Sequence, residues 1–201
     1  MIGADAPQRV VRVKALADVP FRERNPSWTQ EARGLIEAAS DYYEREFGIR
    51  FITASVSAWP EKERIATTPG LLARLQKEFP VHSKGGSYDL IVLFTGVNVS
   101  RHMTAGRPRV DRIGNCAEGL GSYVVVPVSK IFRYPGPSAE PEYEVITLVH
   151  ELGHIFGAEH VEDLQSIMHV NFGYRTEFDA KNRTVIQQNR VCAFANQVVR
   201  R

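Results

Sequence analysis

The sequence lacks the features that mark membrane and nucleic-acid-binding proteins. No apolar stretch reaches the roughly eighteen residues that a membrane-spanning helix requires. The 25 Lys and Arg residues against 23 Asp and Glu leave a net charge of +2, without a concentrated basic stripe. Repeats and low-complexity runs are absent as well. A hydrophobic content of 43% and a charged content of 24% are ordinary for a globular protein. We therefore expect neither a membrane span nor a nucleic-acid partner.

Leader features and cysteines are also scarce. Residues 1–5 contain no basic segment followed by an apolar one, so either the chain is not exported or a leader and pro-segment have been removed. Cys116 and Cys192 are the two cysteines, and they are either free core thiols or one disulfide. The length of 201 residues predicts a single domain, 1–201, which we expect to be monomeric.

One stretch of eleven residues carries most of the chemistry: residues 150–160 read H-E-L-G-H-I-F-G-A-E-H. His150 and His154 are four residues apart, so on a helix both side chains reach one metal ion. Gly157 permits a turn that delivers His160 as a third ligand. Three imidazoles and one open position are typical of a catalytic zinc site. The sequence therefore predicts one Zn²⁺ per chain.

The alternative is a buried helix whose histidines are ordinary core residues. The residues around the motif are apolar nearly all round the predicted helix: Val145, Ile146, Leu148, Val149, Leu152, Ile155 and Phe156. Polar side chains inside such a helix need a partner, and a metal ion would supply one for all three histidines. The third histidine at fixed spacing makes a chance match far rarer than H-E-x-x-H alone.

These residues resemble the signature of the metzincin zinc metallopeptidases, H-E-x-x-H-x-x-G-x-x-H followed by a methionine-containing turn. Residues 166–169, S-I-M-H, stand where that turn is expected, shortly after His160. The resemblance implies that Met168 forms an apolar floor beneath the zinc ligands. Some branches have a tyrosine two residues after the methionine; here Val170 occupies that position, and Tyr174 is the nearest tyrosine.

The motif predicts peptide-bond hydrolysis by a zinc-activated water. Glu151, next to the first ligand, is the expected general base, which takes the proton of the water and passes it to the leaving amine. Hydrolysis of a non-protein amide would use the same residues. A catalytically silent binding domain is the third alternative, which the intact Glu151 disfavours. Cleavage preference, latency and calcium sites are left open by the pattern.

Alternating strand and helix patterns predict an α/β (α+β) fold with a twisted mixed sheet. The predicted strands are 9–16, 49–58, 88–95, 108–114 and 121–129. The predicted helices are 27–47, 68–77, the helix that carries His150 and His154, and 176–195. Loops are predicted at 20–26 and 96–107, and a proline-rich connection at 135–141. The resemblance implies an upper subdomain, 1–157, above a cleft and a small lower subdomain, 158–201, that ends in a helix.

The resemblance also suggests where a substrate binds. Residues 108–114 are short and charged, which suits a sheet edge, and metzincins bind an extended peptide along such an edge. This places Ile113 and Gly114 beside the substrate. Val170, Phe172 and Tyr174, after the Met turn, would wall the pocket just past the scissile bond.

The two cysteines have counterparts in the family. In the reprolysin-like branch similar cysteines pair, which favours a Cys116–Cys192 disulfide. A paired enzyme is expected to be a processed chain that is secreted or periplasmic.

Overall fold

Four parallel strands form the sheet that supports the rest of the molecule. The computed structural model describes residues 9–60, 65, 67–80, 87–97, 106–136 and 142–195. Neighbouring strands are parallel throughout the order β2-β1-β3-β4. The strands are β1 (Arg9–Ala17), β2 (Ile49–Ala58), β3 (Leu90–Thr95) and β4 (Tyr123–Pro127).

Five helices lie within the described residues. They are α1 (Val19–Glu23), α2 (Trp28–Phe47), α3 (Thr68–Glu78), α4 (Tyr143–Ile155) and α5 (Ala180–Asn189). The predicted α/β fold is confirmed, and the strands predicted at 9–16, 49–58 and 88–95 agree with the structure to within two residues. The predicted loop 96–107 and connection 135–141 lie largely outside the described residues.

Strand β3 is covered on both faces, as the apolar run at 88–95 predicts. Every residue of β3 is buried. Because side chains alternate along a strand, Val92 and Phe94 pack into the core that contains α2 and α4, whereas Ile91 and Leu93 pack with α3. The sheet thus has helices on both sides, and α4 lies in the larger core.

A buried tyrosine joins α2 to α4. Tyr43 is 0% exposed, and its hydroxyl donates a hydrogen bond to the backbone carbonyl of Val149 at 2.9 Å. A buried phenol needs such a partner, because an unpaired hydroxyl in the core is costly. The contact fixes α4 against α2 one residue before the motif begins.

The strand predicted at 108–114 is wrong in its extent. A single antiparallel bridge joins Val110 to Val124, with the hydrogen bonds Val125 N–H to Arg109 O (2.9 Å) and Asp111 N–H to Tyr123 O (3.2 Å). The ladder stops there because the Asp111 carboxylate accepts the next amides, those of Ser122 and Tyr123. The sheet is therefore mixed only through this short pairing at the β4 edge.

Two further expectations need correction. The predicted loop 20–26 contains most of α1, whose first turn is capped by Asp18: its carboxylate accepts the Phe21 amide at 2.8 Å. The predicted closing helix 176–195 is confined to Ala180–Asn189. Asp179 caps its start, and the chain beyond its end turns back so that Phe194 pairs with Leu120.

No described helix combines the length and apolar character that crossing a bilayer requires. The division of the chain into subdomains at residue 157 remains a prediction.

Candidate metal centre and active-site cleft

Helix α4 supplies the first two histidines. Its apolar residues pack into the larger core, and from Glu144 to Ile155 every residue is buried. His150 and His154 lie one turn apart on the same face, at 2% and 0% exposure. Two imidazoles are therefore fixed side by side within the core.

A tight turn after α4 brings the third histidine back. Gly157 has φ +96°, a left-handed conformation that favours glycine. The Gly157 amide donates to His154 O at 3.0 Å, and the Ala158 amide to Gly153 O at 2.9 Å. These bonds occupy carbonyls at the helix end and reverse the chain, so that His160 faces the other two rings.

The three imidazoles converge through one nitrogen each. The Nε2 atoms of His150, His154 and His160 are each 3.2 Å from the other two. Tetrahedral zinc with Zn–N bonds of about 2.0–2.1 Å separates its nitrogen ligands by about 3.3–3.4 Å. The triangle thus matches the spacing of three zinc ligands within about 0.2 Å. It is the one cluster of three potential metal ligands found among the described residues.

Backbone carbonyls determine which nitrogen faces the centre. His150 Nδ1 is 2.6 Å from Ile167 O, and His154 Nδ1 is 2.7 Å from Ala158 O. A carbonyl only accepts, so both Nδ1 atoms carry the hydrogen, and the Nε2 atoms of the neutral rings present lone pairs. Lone pairs pointing at one another are repulsive without a cation, so the donor set fits a divalent metal ion.

Burial keeps these rings neutral. Desolvation lowers the pKa of His150 to about 3 and that of His154 to about 3, and it also lowers the pKa of His160. Neutral imidazole is the form that binds a metal. The site is therefore ready to bind at neutral pH without first losing a proton.

The segment after His160 forms the floor and one wall of the site. Met168 is 0% exposed and packs beneath α4. The Phe172 ring stacks on His150, with centroids 4.4 Å apart, and on Tyr143 at 5.7 Å. Arg175 holds the segment in place by donating to the carbonyls of Asn171 and Phe172, at 2.8 and 2.9 Å.

Glu151 lies beside the histidines and is paired with an arginine. Its carboxylate is buried, at 1% exposure for the residue. The Arg109 amide donates to Oε2 at 2.8 Å, and the Arg109 guanidinium Nη1 lies 3.0 Å from Oε1. Arg109, which belongs to residues 109–111 paired with the edge of β4, therefore contacts both oxygens of the expected general base.

A cleft of about 350 Å³ opens onto this centre. Its lining residues come from residues 106–109, from α4, from the turn after α4 and from the segment after the Met turn: Gly106, Arg107, Arg109, Tyr143, His150, Glu151, His160, Val170, Asn171, Phe172 and Gly173. The mixture of aromatic, cationic and potential metal-binding groups makes the cleft the candidate active site.

The structure brings together only some of the residues predicted to meet a substrate. Val170 and Phe172 line the cleft. Tyr174 does not; it is 71% exposed and packs edge-on against Tyr143. It is thus placed to support the aromatic wall from outside the cleft.

Ile113 and Gly114 do not line the cleft either. The Gly114 amide donates to His154 O at 2.9 Å and is unavailable to a substrate. A Cβ on Gly114 would lie 2.0 Å from Ile155 O, so this segment is packed directly against the end of α4. These contacts support α4. The ladder with β4 has already ended at Asp111, so Ile113 and Gly114 are not part of the sheet edge.

A disulfide fastens the same region from the other side. Cys116 and Cys192 are bridged, with their Cα atoms 5.0 Å apart. Asn189, near the second cysteine, donates from Nδ2 to Phe156 O at 2.9 Å. The bridge connects the region after α5 to the segment that follows Gly114, and the Asn189 bond connects the end of α5 to the turn that delivers His160.

Arg109 and Tyr143 were missed by sequence reasoning. Arg109 lies in the segment predicted as a charged sheet edge, and no local spacing relates it to Glu151, 42 residues later. Tyr143 is the first residue of α4 and lies about two turns before His150. A signal was present for Tyr143 alone, since residues 143, 147, 150 and 154 share one helical face.

Comparison with known proteins agrees with this geometry. The archaemetzincin of Methanopyrus kandleri, a solved structure, matches with a TM-score of 0.55 and 20% sequence identity over 94% of this chain and 97% of that chain. A match at this identity supports the fold. No curated protein sequence matches. The family model Reprolysin_5, described as metallo-peptidase family M12, matches residues 7–199.

The family match supports zinc-dependent peptidase activity in general terms. Because the family model spans nearly the whole chain, the protein belongs to metallo-peptidase family M12.

Proposed function

We propose that the protein is a zinc endopeptidase of the metzincin type. The observation that carries the proposal is the triangle of Nε2 atoms 3.2 Å apart, with a buried glutamate beside it in an open cleft. His150, His154 and His160 would hold the zinc ion. Zinc supplies Lewis acidity, which activates a water and stabilises negative charge on a carbonyl oxygen.

Glu151 acts as the general base. It takes a proton from the attacking water and returns it to the nitrogen of the leaving amine. Its position supports this role, because Glu151 lines the cleft together with His150 and His160. Phe172 and Tyr143 stack on each other and form an apolar wall of the cleft.

The β4 edge would bind the substrate backbone. Arg109 O and Asp111 N–H bond inward to β4, so the peptide groups of Val110 face the other way. They have no hydrogen-bond partner among the described residues. An extended peptide can add there as a further strand, with pockets reading its side chains. N-methylation of one substrate amide at a time should then lower kcat/KM about five- to tenfold at a single position.

The wall formed by Val170, Phe172 and Tyr143 favours an apolar residue just after the scissile bond. Phe172→Ala removes the largest surface of this wall and should broaden or shift the preference at that position. Profiling cleavage sites on a peptide library measures the change. An unchanged profile would remove Phe172 from the specificity pocket. A panel including non-protein amides separates the peptidase from a hydrolase of other amides.

The proposal for Glu151 is tested by Glu151→Gln with Glu159→Gln as control. Both glutamates belong to the eleven-residue motif, but the Glu159 side chain is 60% exposed. Glu151→Gln should lower kcat by about 10² to 10⁴ while zinc stays bound. Glu159→Gln should behave as wild type. Peptide hydrolysis at wild-type rate by Glu151→Gln would contradict the role of the base.

We also propose that the protein works in an oxidising compartment, secreted or periplasmic. The Cys116–Cys192 bridge supports this, because disulfides persist mainly outside reducing cytosol. Localising the natural protein by cell fractionation, together with its thiol state, tests the proposal. A cytosolic protein with both thiols free would contradict it.

A further inference from the structure

We propose that Arg109 is a positioning residue that orients the carboxylate of Glu151 for proton transfer. The inference rests on the proposed peptidase function and adds a residue outside the zinc-binding motif. Its basis is the pair of contacts from one residue, backbone N–H to Oε2 at 2.8 Å and guanidinium Nη1 to Oε1 at 3.0 Å.

Two hydrogen-bond donors restrict the orientation of a carboxylate more than one donor does. The carboxylate of glutamate turns about a broad terminal torsion, so a single contact leaves its plane free to rotate. Contacts to both oxygens, from two directions, define that plane. Proton transfer needs heavy atoms within hydrogen-bond reach and aligned, and a misplacement of about 1 Å can cost a hundredfold in rate.

The pair is poorly explained as a stability device. The side chains of Arg109 and Glu151 are 14% and 2% exposed. Burying two charges costs desolvation that their attraction often does not fully offset, and apolar pairs of similar volume are often at least as stable. The guanidinium Nε has no hydrogen-bond partner within the described part of the chain, so the side chain is not placed to satisfy its own donors. The guanidinium is placed instead to contact the Glu151 carboxylate.

The connection between elements explains how the orientation is maintained. The backbone of Arg109 is bonded to β4 through its carbonyl, and Glu151 belongs to α4. The contact therefore fixes the position of Glu151 relative to the sheet edge, where the substrate is proposed to bind. The bound substrate strand and the general base would then both be positioned by the same edge of the sheet.

The test compares Arg109→Ala, Arg109→Gln and Arg109→Lys with a control, Arg112→Ala. Arg112 lies three residues further along, and its side chain is 40% exposed. We expect Arg109→Ala to lower kcat about tenfold to a hundredfold, with KM changed less than about threefold and one zinc bound. Gln, which keeps a donor, and Lys, which keeps the charge, should recover part of kcat. Arg112→Ala should match wild type.

Crystal structures of the metal-free wild type and variants give a readout independent of activity. The Glu151 carboxylate should keep one orientation in wild type and Arg112→Ala, and it should be displaced or take several orientations in Arg109→Ala, or in Arg109→Gln if the alanine variant does not fold. An unmoved carboxylate overturns the proposal. So does a rise in KM alone, which would make Arg109 a substrate contact, or a rise in kcat, which would make the pair a restraint on the base.

The two readouts separate this proposal from the proposed function. A wild-type protein that cleaves no peptide contradicts the peptidase assignment, whereas the carboxylate orientation in the metal-free crystals still decides the role of Arg109.

Discussion

The sulfur of Met168 lies against Gly153, directly beneath the helix turn that carries His150 and His154. A Cβ placed on Gly153 would lie 3.0 Å from Met168 Sδ and 3.0 Å from the Phe178 ring. The helix therefore approaches its floor at a residue that has no side chain. This contact explains why a glycine lies within the helix, although glycine has an unfavourable helix propensity. It also explains why Met168 is fully buried beneath it.

Gly153→Ala should destabilise the protein despite alanine's better helix propensity. Propensity gains about 0.5–1 kcal/mol, whereas overpacking a filled core typically costs about 1–3 kcal/mol. Phe178 is only 5% exposed and has little room to retreat. Chemical denaturation measures the net effect. An increase in the free energy of unfolding would show that the floor is loosely packed.

Met168→Leu should leave zinc binding intact. The two side chains have similar volumes, and such exchanges usually cost less than about 1.5 kcal/mol. We expect Met168 to act through packing and not through its sulfur. Metal analysis after dialysis is the measurement, and loss of zinc from a folded variant would give the thioether a direct role.

Gly157→Ala should impair both folding and zinc affinity, because it strains the turn that delivers His160. A non-glycine residue at this φ costs about 1–3 kcal/mol, and the new Cβ would lie 2.6 Å from Gly114 O. Gly136→Ala is the matched control: its φ is +106°, with nothing within 4 Å of the added Cβ. Comparable zinc affinities for the two variants would contradict the role of the turn.

Removing the disulfide should lower stability without removing the centre. Cys116 and Cys192 are 76 residues apart, and closing a loop of that size stabilises by roughly 4 kcal/mol at most. The double variant Cys116→Ser, Cys192→Ser should unfold at lower denaturant yet still bind zinc. Unchanged stability, or an intact mass that does not shift by two daltons on reduction of wild type, would count against the bridge.

The metal-free protein should lose stability in acid between about pH 6.5 and pH 3. Burial lowers the folded-state pKa of His150 and His154 to about 3, so between these values the unfolded chain binds more protons. Stability is then fully present above the unfolded pKa and falls as the pH drops. At pH 5.5 the two rings together should lower the free energy of unfolding by roughly 2–3 kcal/mol.

Denaturation at pH 7.5 and pH 5.5 measures this dependence, with His154→Gln as comparison. The variant should lose about half as much of this stability. Equal losses in the two proteins would show that other groups control the acid response.

The local arrangement of the metal ligands could be predicted from sequence because residues close to one another in the chain determine it. His150, His154 and the turn at Gly157 follow from helical spacing and from the conformational freedom of glycine. The buried character of β3 likewise follows from an uninterrupted apolar run. In each case the interactions that decide the structure act over a few residues.

The extent of the pairing at the β4 edge could not be predicted, because long-range contacts decide it. Residues 108–114 have a weak strand pattern, but the ladder ends where the Asp111 carboxylate takes the next two amides of β4. The Arg109–Glu151 contact spans 42 residues and joins a loop to a helix. Charges on a short segment suggest solvent exposure, and only the three-dimensional arrangement identifies the one that is buried.

Zinc titration of the metal-free protein tests the central claim most directly. After chelation and removal of the chelator, the protein should cleave no peptide. Activity on a peptide library should rise in proportion to added zinc and level off at one equivalent, and His154→Ala should show no such rise. Full cleavage by the metal-free protein, or none after one equivalent of bound zinc, would contradict the account.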